Sequence, residues 1–549
     1  VAPGAQLLGL RISDNARGGI STTGSMIRAM EYAARVAAER RLPLVLNMSF
    51  GIGNEVEGTA AMDSLVEAFL LRHPDVVFAI SAGNDGPGTS TIGLPASADL
   101  ALAVGAVYPG AFVRAQFGVE GRDVLGSWSA RGGELAKPDI VTPGIAYSSV
   151  PAWNTGEEIK GGTSMASPFA AGLVALLVSA DAQEGRAVRA ARIVQALRAS
   201  GRLFAGESQL DQGFGLPMVE PAYRWLAAGH DVPSLQVQAL SVAAETPRGI
   251  YRADDVAPSA RGPAPTAAYR RDGLRSQDDT VQRFRIVARP QAGRPSSAGT
   301  AFRLVSIAPW LRTATPSVAL DRNGAALVEV RYDPSAFARP GRYVGTVYGY
   351  AAEDMAAGPL FALVNTVAVA DTGAAFAVSA RKAAPGAAVR YYLRVPDGAA
   401  GLSVHATVQD STAPATLYLF DAAGRPARGM DKLDLGGEGP PRASGVISAN
   451  DIAPGVWELV LQAMPAREVR YEMQARVPRI RIARVDSASS TPSVAFAAAG
   501  DTALLVTAER LGMTRLRDVV IVNGAMMRDT VEAPAWAKQL VLDVWVPRD

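Results

Sequence analysis

Apolar and polar residues follow two different patterns along the chain, and the pattern changes near residue 230. Before this point, short continuous apolar runs alternate with segments whose apolar residues recur every three or four positions. The runs predict buried strands and the recurring positions predict helices. The predicted strands are 6–12, 44–49, 75–81 and 100–107, and the predicted helices are 23–40, 59–72, 169–180 and 187–199. Because buried strands that alternate with helices form parallel sheets covered on both faces, residues 1–230 are predicted to have an α/β fold.

Beyond residue 230, apolar residues alternate with polar ones over short stretches separated by Pro and Gly. This pattern predicts all-β sandwich domains. The clearest stretches are 280–287, 325–332, 343–350, 389–395, 456–461 and 504–507, and residues 255–279 are predicted to be a loop or linker. We therefore predict an α/β portion at 1–230, β-sandwich domains at 231–372 and 373–478, and a further, incomplete β domain at 479–549.

Composition removes several classes of function. The chain has 549 residues with 54 basic and 52 acidic side chains, a net charge of +2, so no broad basic surface for nucleic acid is expected. Residues 161–180 form the longest uncharged window, but only 169–178 is densely apolar, which predicts a buried helix and no membrane span. Cysteine is absent, which excludes disulfides, thiolate metal sites and cysteine nucleophiles but leaves the compartment open.

Two short segments carry candidate chemistry. Ser164 follows Gly161 and Gly162 directly before a predicted helix, where free backbone N–H groups and the helix dipole favour developing negative charge. Asn84 lies in a glycine-dense turn just after a buried strand, a rigid position from which an amide can donate to an oxyanion. Taken alone, the first is an ordinary helix cap and the second an ordinary turn. Their occurrence together in a parallel-sheet protein favours a catalytic interpretation.

These segments resemble those of a known enzyme family. Residues 162–168 (GTSMASP) resemble the nucleophile motif of the subtilisin-like serine peptidases, the subtilases. Residues 81–84 (SAGN) resemble the family's motif around the oxyanion asparagine, and residues 47–51 (NMSFG) resemble its substrate-binding edge strand. All three motifs occur in the order of the family. Within the family, similarity is highest to the tripeptidyl-peptidase II branch, at residues 1–6, 27–30, 211–216, 248–251, 349–350 and 358–361.

The resemblance implies a role for individual residues. It makes Ser164 the nucleophile, and it makes Asn84 and the Ser164 N–H group the oxyanion donors. It implies that an extended peptide or protein substrate is held between two segments, Ser49-Phe50-Gly51 and Gly18-Gly19-Ile20. It also implies a side-chain pocket lined by Ala82, Gly83 and Gly93, next to a turn at 91–96 with a cis peptide bond before Pro95, and a strand and turn at 137–144 that precede the nucleophile segment.

The catalytic base of the family is not recognisable. The serine needs a histidine oriented by an aspartate, and the family order is Asp, His, Ser. The chain has three histidines, His73, His230 and His405, and none has the sequence context of the catalytic one. We expect both residues in a segment upstream of Val1, so that 1–230 is the C-terminal portion of a catalytic domain. The chain alone is then expected to lack peptidase activity.

Two further departures concern specificity and binding. Tripeptidyl peptidases of this branch hold the substrate ammonium with two carboxylates, and the corresponding positions here are Ser21 and Ile52, which leave a buried ammonium unpaired. Glu55 or Glu57 would have to fold back to replace them. We therefore favour endopeptidase over tripeptidyl aminopeptidase action. Asp85 either mildly favours basic substrate residues or is an ordinary turn residue, with the turn role favoured.

A third hypothesis, besides the two peptidase activities, is a non-catalytic binding or assembly protein whose β-sandwiches do the recognition. Glycines at 51, 83, 93, 161 and 162 argue against a non-catalytic role, because backbone without side chains beside a pocket allows a peptide to approach closely. No cofactor is expected. Structural calcium occurs in subtilases, but its loops are not recognisable here, and the branch would imply a large homo-oligomer.

Overall fold

The computed structural model describes residues 1–14, 16, 19–53, 60–149, 157–230, 232–240, 265–289, 297–373, 375–448, 451–478, 480–486 and 493–498. The chain divides into two compact units, residues 1–480 and 481–549. In the first unit an α/β region is followed by sheets made only of β-strands. The predicted fold class is therefore confirmed.

The α/β region extends from the beginning of the chain to residue 227. Its elements, in chain order, are β1 (Ser13–Asp14), β2 (Ile20–Ser21), α1 (Thr23–Arg40), β3 (Val45–Met48), α2 (Ala61–Arg72), β4 (Val77–Ser81), β5 (Leu102–Tyr108), α3 (Gly110–Phe117), β6 (Val124–Leu125), β7 (Ile140–Pro143), β8 (Ile145–Ser149), β9 (Glu157–Gly161), α4 (Thr163–Gln183), α5 (Ala190–Ala199), β10 (Gly201–Arg202), α6 (Gln209–Gln212), β11 (Leu216–Pro217) and α7 (Val219–Ala227). Helix α1 has the predicted bounds, and α4 begins six residues before the predicted start because Thr163 and Ser164 belong to its first turn, directly after the N-cap Gly162.

A central sheet with helices on both faces positions the candidate residues. Strands β3, β4, β5 and β7 are parallel, and β6 is antiparallel to β5. Along β4, Val77 and Ala79 pack in one core with α4, whereas Phe78 and Ile80 pack in another with α1 and α2. This alternation explains why β4 is a continuous apolar run.

Helix α4 is the central helix of the α/β region. It packs against β3, β4, β5 and β7. By length and composition it is the one helix within the described ranges that could cross a membrane, a criterion that the core helices of soluble proteins also meet.

The predicted strand at 6–12 is wrong. Residues 5–12 belong to no strand, and Leu7 and Leu8 are 95% and 49% exposed. A strand needs a partner that satisfies its backbone N–H and C=O groups. Within the described part of the chain, β3 is paired only with β4, and residues 6–12 form no hydrogen-bonded ladder with the other edge of β3. Without such a partner the apolar run forms no strand, and its leucines at 7 and 8 are exposed.

The first β-sandwich follows the α/β region directly. Its strands are β12 (Leu235–Leu240), β13 (Ala268–Arg270), β14 (Val281–Ala288), β15 (Ala301–Ser306), β16 (Leu311–Thr313), β17 (Ser317–Ala319), β18 (Ala325–Tyr332), β19 (Gly341–Ala351) and β20 (Pro359–Val369). They form two sheets, ordered β12-β14-β18-β16 and β13-β20-β19-β15-β17. Both sheets share one continuous core with α4, α5 and α7, so this sandwich is packed onto the α/β region through apolar side chains.

The second β-sandwich has its own core. Its strands are β21 (Ala375–Ala383), β22 (Ala388–Val395), β23 (Gly401–Val408), β24 (Ala415–Phe420), β25 (Lys432–Leu435), β26 (Arg442–Ser448), β27 (Gly455–Ala463) and β28 (Val469–Arg476). They form sheets ordered β21-β28-β23-β26 and β22-β27-β24-β25 around a core that includes Trp457 and Tyr471. Strands β29 (Ile480–Asp486) and β30 (Ser493–Ala498) form a separate two-stranded sheet. The predicted strand at 504–507 lies outside the described residues.

A buried carboxyl group binds Ser97, the residue directly after the turn at 91–96 that the family resemblance places beside the substrate pocket. Asp63, in the first turn of α2, is fully buried. Its Oδ1 accepts a hydrogen bond of 2.6 Å from the Ser97 hydroxyl, and its Oδ2 has no hydrogen-bond partner among the described residues. Burial raises the pKa of Asp63 to about 6, and the Ser97 hydrogen bond offsets only part of this effect. The fold therefore favours the protonated carboxyl.

We expect Asp63→Asn to stabilise the protein at alkaline pH. The folded-state pKa lies above the ordinary value of 3.8, so the stability of the wild type falls as the pH rises through this interval. A shift of about two units corresponds to about 3 kcal/mol. The variant should be more stable by up to this amount at pH 8 and equally stable near pH 4, measured by urea denaturation. The exposed Asp75→Asn is the control, and a difference that does not change with pH would contradict the prediction.

Candidate active site

Three segments meet at one edge of the central sheet. Residues 49–52 follow β3, residues 82–84 follow β4, and the first turn of α4 lies beside both. The ends of β3 and β4 are adjacent because the strands are parallel neighbours. The end of β7 joins them, since the Gly162 N–H donates to the Gly144 carbonyl at 2.8 Å. The sheet thus brings Ser164 and Asn84 together, although about 80 residues separate them.

Thr163 orients the side chain of Asn84. Asn84 Oδ1 accepts hydrogen bonds of 3.0 Å from both the backbone N–H and the hydroxyl of Thr163. The Thr163 hydroxyl also accepts from the Gly83 N–H at 3.2 Å. Thr163 is fully buried, whereas Asn84 is exposed. The amide oxygen is thereby occupied, and the Nδ2 group is left for a ligand in the cleft.

The Asn84 amide and the backbone nitrogen of Ser164 both lie close to Gly162. A Cβ atom at position 162 would lie 3.6 Å from Asn84 Nδ2 and 3.6 Å from the backbone nitrogen of Ser164. Ser164 is the second residue of α4, and the N–H groups of the first turn have no acceptor within the helix. Gly162 has φ +156°, a conformation that strains other residues. A side chain at position 162 would therefore contact the Asn84 amide and the Ser164 nitrogen, and glycine leaves both groups uncovered.

Hydrogen bonds from the end of β3 hold the first turn of α4. The Ser49 hydroxyl donates to the Ser164 carbonyl at 2.7 Å. The Ser167 hydroxyl donates to Asn47 Oδ1 at 2.7 Å. Ser164 is half-buried at the N-terminus of α4, where the helix dipole favours negative charge. Its position is both fixed and accessible, which a serine nucleophile needs.

Backbone contacts bring the predicted pocket residues together. The Gly93 N–H donates to the Ala82 carbonyl at 2.9 Å, and a Cβ atom on Gly83 would lie 3.2 Å from the Gly93 nitrogen. Ile52 and Leu94 exchange two hydrogen bonds, of 3.1 and 2.9 Å. A Cβ atom on Gly93 would lie only 2.8 Å from the Ile52 carbonyl oxygen, so this approach requires glycine.

The remaining predicted residues of these segments lie beside the same cleft. A Cβ atom on Gly51 would lie 3.2 Å from the Leu94 carbonyl oxygen, and the Phe50 carbonyl accepts from the Ser81 hydroxyl at 3.4 Å. The peptide bond before Pro95 is cis, as predicted. The substrate-binding roles of these residues stay predictions.

Asp85 lies at the same edge of the sheet. Its Oδ2 is 3.6 Å from the position of a Cβ atom on Gly53, so the carboxyl group faces the segment that follows β3. Partial burial raises the pKa of Asp85. This contact does not distinguish the two interpretations of Asp85.

The predicted clamp partner of Ser49-Phe50-Gly51 is only partly described. Gly18 lies outside the described residues. Gly19 donates its N–H to the Asp14 carbonyl, and the 59% exposed Ile20 pairs with Asp14 in the β1–β2 hairpin. These hydrogen bonds lie within the hairpin and do not tie Gly19 or Ile20 to residues 49–51. The clamp stays a prediction.

None of the three histidines is arranged as a base for Ser164. His73 follows α2 and precedes β4, so it lies at the opposite edge of the sheet from Asn84, and its Nε2 is 3.7 Å from Glu31. His230 Nδ1 lies 2.5 Å from Asp354 Oδ2, and its ring packs against Trp225. His405 is exposed on β23 of the second sandwich.

The two positions compared with the ammonium-binding carboxylates have other contacts. Ser21 pairs with Ser13 in the β1–β2 hairpin, and Ile52 pairs with Leu94. Glu55 and Glu57 lie outside the described residues. Over the ranges that the structure describes, no group of three or more acidic or histidine side chains is arranged to hold a metal ion.

Sequence reasoning missed the residues that hold the site in place. Thr163 orients Asn84, and Ser167 with Asn47 fixes the helix to the end of β3. All three lie within the quoted motifs, so the motif boundaries contained the signal. Their pairing could not be read from the chain because it joins segments about 80 and 120 residues apart.

Comparison with known proteins agrees with this geometry. Residues 1–216 match the sequence profile of the Peptidase_S8 family, the subtilases. The central sheet, the helix that begins at Thr163 and the turn that carries Asn84 are thus part of a subtilase domain. Residues 1–216 belong to the subtilase family.

Two individual proteins are similar to larger parts of the chain. The chain is 30% identical to pyrolysin of Pyrococcus furiosus over 393 residues, covering 63% of this chain and 25% of pyrolysin. It is 32% identical to tripeptidyl-peptidase 2 of Oryza sativa subsp. japonica over 268 residues, covering 46% of this chain and 19% of that protein. The chain therefore spans about a quarter or less of the length of these relatives.

The fold is similar to that of tripeptidyl peptidase 2 beyond the subtilase domain. A crystal structure of tripeptidyl peptidase 2 superimposes on the chain with a TM-score of 0.66. The superposition covers 88% of this chain and 38% of the chain in that structure, at 18% sequence identity. The similarity therefore includes the α/β region and extends into the β-sandwiches.

We expect Gly162→Ala to lower kcat by about 10²-fold with little change in KM, because the new methyl group would lie against both the Asn84 amide and the Ser164 nitrogen. The measurement is peptide hydrolysis by the protein expressed from its intact gene. Gly185→Ala is the control for a positive φ without a close neighbour: Gly185 has φ +68° at the other end of α4, and its Cβ would meet no described atom within 4 Å. Because Gly162 has φ 156° and ψ 159°, a region restricted to glycine, the free energy of unfolding of both variants is measured as well. A loss of kcat matched by a loss of folded protein would show that backbone strain is the cause.

Proposed function

We propose that residues 1–230 supply the nucleophile and the oxyanion hole of a serine peptidase. Ser164 attacks the scissile carbonyl, and the oxygen of that carbonyl, as it gains negative charge, accepts hydrogen bonds from Asn84 Nδ2 and the Ser164 N–H. The C–N bond then breaks, the amine leaves with the proton that the base took from Ser164, and water hydrolyses the acyl ester to release the acid and regenerate the serine. The observation that carries this proposal is that the Asn84 amide and the Ser164 nitrogen lie beside the same glycine, each 3.6 Å from the position of a Cβ atom on Gly162. The mechanism uses no cofactor.

A general base from outside residues 1–549 completes the reaction. The Ser164 hydroxyl must lose its proton during attack, and a histidine held by an aspartate is the base that fits the family. His73, His230 and His405 have their own partners or lie in another domain. We propose that a segment upstream of Val1 carries both the histidine and the aspartate.

The expected result is that Ser164→Ala abolishes hydrolysis by the protein expressed from its intact gene. Asn84→Ala should lower kcat by about 10²–10³-fold, which is the loss measured when the oxyanion asparagine of a subtilisin is replaced. Ser179→Ala, on the same helix, is the control, because the Ser179 hydroxyl bonds only the Gln183 side chain among the contacts described for it. Hydrolysis that survives Ser164→Ala would overturn the proposal.

Residues 1–549 expressed alone should not react with a fluorophosphonate probe, because the serine is not activated without its base. The same chain with its upstream segment should be labelled at Ser164, as read by mass spectrometry of the modified peptide. Stoichiometric labelling of the isolated chain would show that a group within it acts as the base.

We favour endopeptidase action over release of tripeptides. An exopeptidase of the branch needs negative charge for the substrate ammonium, and Ser21 and Ile52 provide none. The second candidate, a tripeptidyl aminopeptidase, is supported by the similarity to tripeptidyl-peptidase 2.

Internally quenched peptides with free and with acetylated N-termini distinguish these activities. We expect kcat/KM to differ by less than about threefold between the two forms, because no carboxylate stands at the two compared positions. Strict dependence on a free amine would establish exopeptidase action. The Ser164→Ala protein, assayed with both peptides, corrects for contaminating peptidases.

A further inference from the structure

The segment that carries Asn84 continues into a buried contact with another domain. We define the oxyanion segment as residues 84–91. Its beginning pairs with the α/β region, where the Gly86 N–H donates to the Trp128 carbonyl at 3.0 Å. Its end also pairs there, through the Thr91 N–H and the Arg131 carbonyl at 2.9 Å. Between these points, Gly88 and Thr89 contact the second β-sandwich.

Glu458, on β27, binds the middle of the oxyanion segment. Its Oε2 accepts the Thr89 N–H at 2.8 Å, and its Oε1 accepts the Thr89 hydroxyl at 3.1 Å. Thr89 is fully buried and Glu458 is 5% exposed. Beside them, the ring of Phe420 is so close that a Cβ atom on Gly88 would lie 2.5 Å from it. The second sandwich thus covers the middle of the oxyanion segment.

A buried ionic network fixes Glu458 in turn. Its Oε1 accepts from Arg390 at 2.6 Å and from the Tyr392 hydroxyl at 2.8 Å. Arg390 also donates to Asp211 of the α/β region at 3.1 Å, and Asp211 accepts from Arg342 of the first sandwich at 2.5 Å. The network therefore connects all three domains of the first unit.

The two carboxylates of this network are held in their charged form. Burial by itself would raise the pKa of Asp211, but Arg342, Arg390 and Arg131 lower it below its ordinary value. Burial acts in the same direction on Glu458, and Arg390 and Arg342 again lower its pKa. Glu458 is therefore a carboxylate acceptor, which gives the stronger hydrogen bonds to Thr89.

We propose that Glu458 is a positioning residue for peptide hydrolysis, which fixes the oxyanion segment through Thr89 and so keeps the Asn84 amide at the oxyanion site. The inference rests on the proposed function of Ser164 and Asn84. It assigns the second β-sandwich a part in catalysis, beyond holding the domains together.

The test compares two neighbouring tyrosines and one threonine. Tyr392→Phe removes the hydroxyl that binds Glu458, whereas Tyr391→Phe removes a hydroxyl that faces Tyr471 at 2.5 Å inside the second sandwich. Thr89→Val removes the hydroxyl bound to Glu458 and retains the side-chain shape. In the protein expressed from its intact gene, Thr89→Val should lower kcat about tenfold or more, with KM changed less than about twofold. Tyr392→Phe should give a smaller loss, Thr89→Ser should restore activity, and Tyr391→Phe should change neither constant.

A double-mutant cycle separates positioning from general destabilisation. In an Asn84→Ala background, Thr89→Val should lower kcat by less than a further factor of about two, since the amide it positions is gone. Equal losses in both backgrounds, or a loss from Tyr391→Phe as large as that from Tyr392→Phe, would overturn the inference. If Ser164→Ala leaves hydrolysis intact, the proposed function fails instead, so the two failures are distinguishable.

Discussion

The geometry of the site depends on the two hydrogen bonds that Asn84 Oδ1 accepts from Thr163. An amide side chain offers its NH₂ group in a fixed direction only when its oxygen is held, and here one residue supplies both donors. Since Thr163 is also the first residue of α4, the same contact fixes the end of β4 against the helix terminus. The spacing of the Asn84 and Ser164 donors then follows from backbone geometry rather than from mobile side chains.

Around this contact, the cleft is shaped by the absence of side chains. Gly162 leaves the Asn84 amide and the Ser164 nitrogen uncovered, and Gly93 allows the Ile52 backbone to approach to a distance that a Cβ atom would block. Gly83 adopts φ +113° where the chain leaves β4. Such positions cost conformational entropy on folding, which the shared cores on both faces of the sheet must offset. The entropic cost of these glycines at the site is therefore offset by apolar burial in the cores around it.

Much of the fold could be predicted from local patterns, because periodicity reports which faces are buried. Helix α1 has the bounds that its apolar positions predict, and β18 agrees with the stretch 325–332. The predicted strand at 6–12 is wrong, because periodicity registers an apolar run but not whether a partner strand exists. In the site, Ser164 and Asn84 could be found because their motifs are short and local. The contact between Thr89 and Glu458 could not, because Glu458 gives only one hint, a single charge within the apolar stretch 456–461.

That contact has a consequence for the order in which the protein becomes complete during synthesis. Thr89 precedes Glu458 by 369 residues. At about 5–20 residues per second, the ribosome needs roughly 20–70 s to add them. For the later part of this interval Ser164 and the glycines of the cleft are already translated, while the carboxylate partner of Thr89 is not. Translation thus imposes a delay between the synthesis of Ser164 and the final anchoring of the segment beside it.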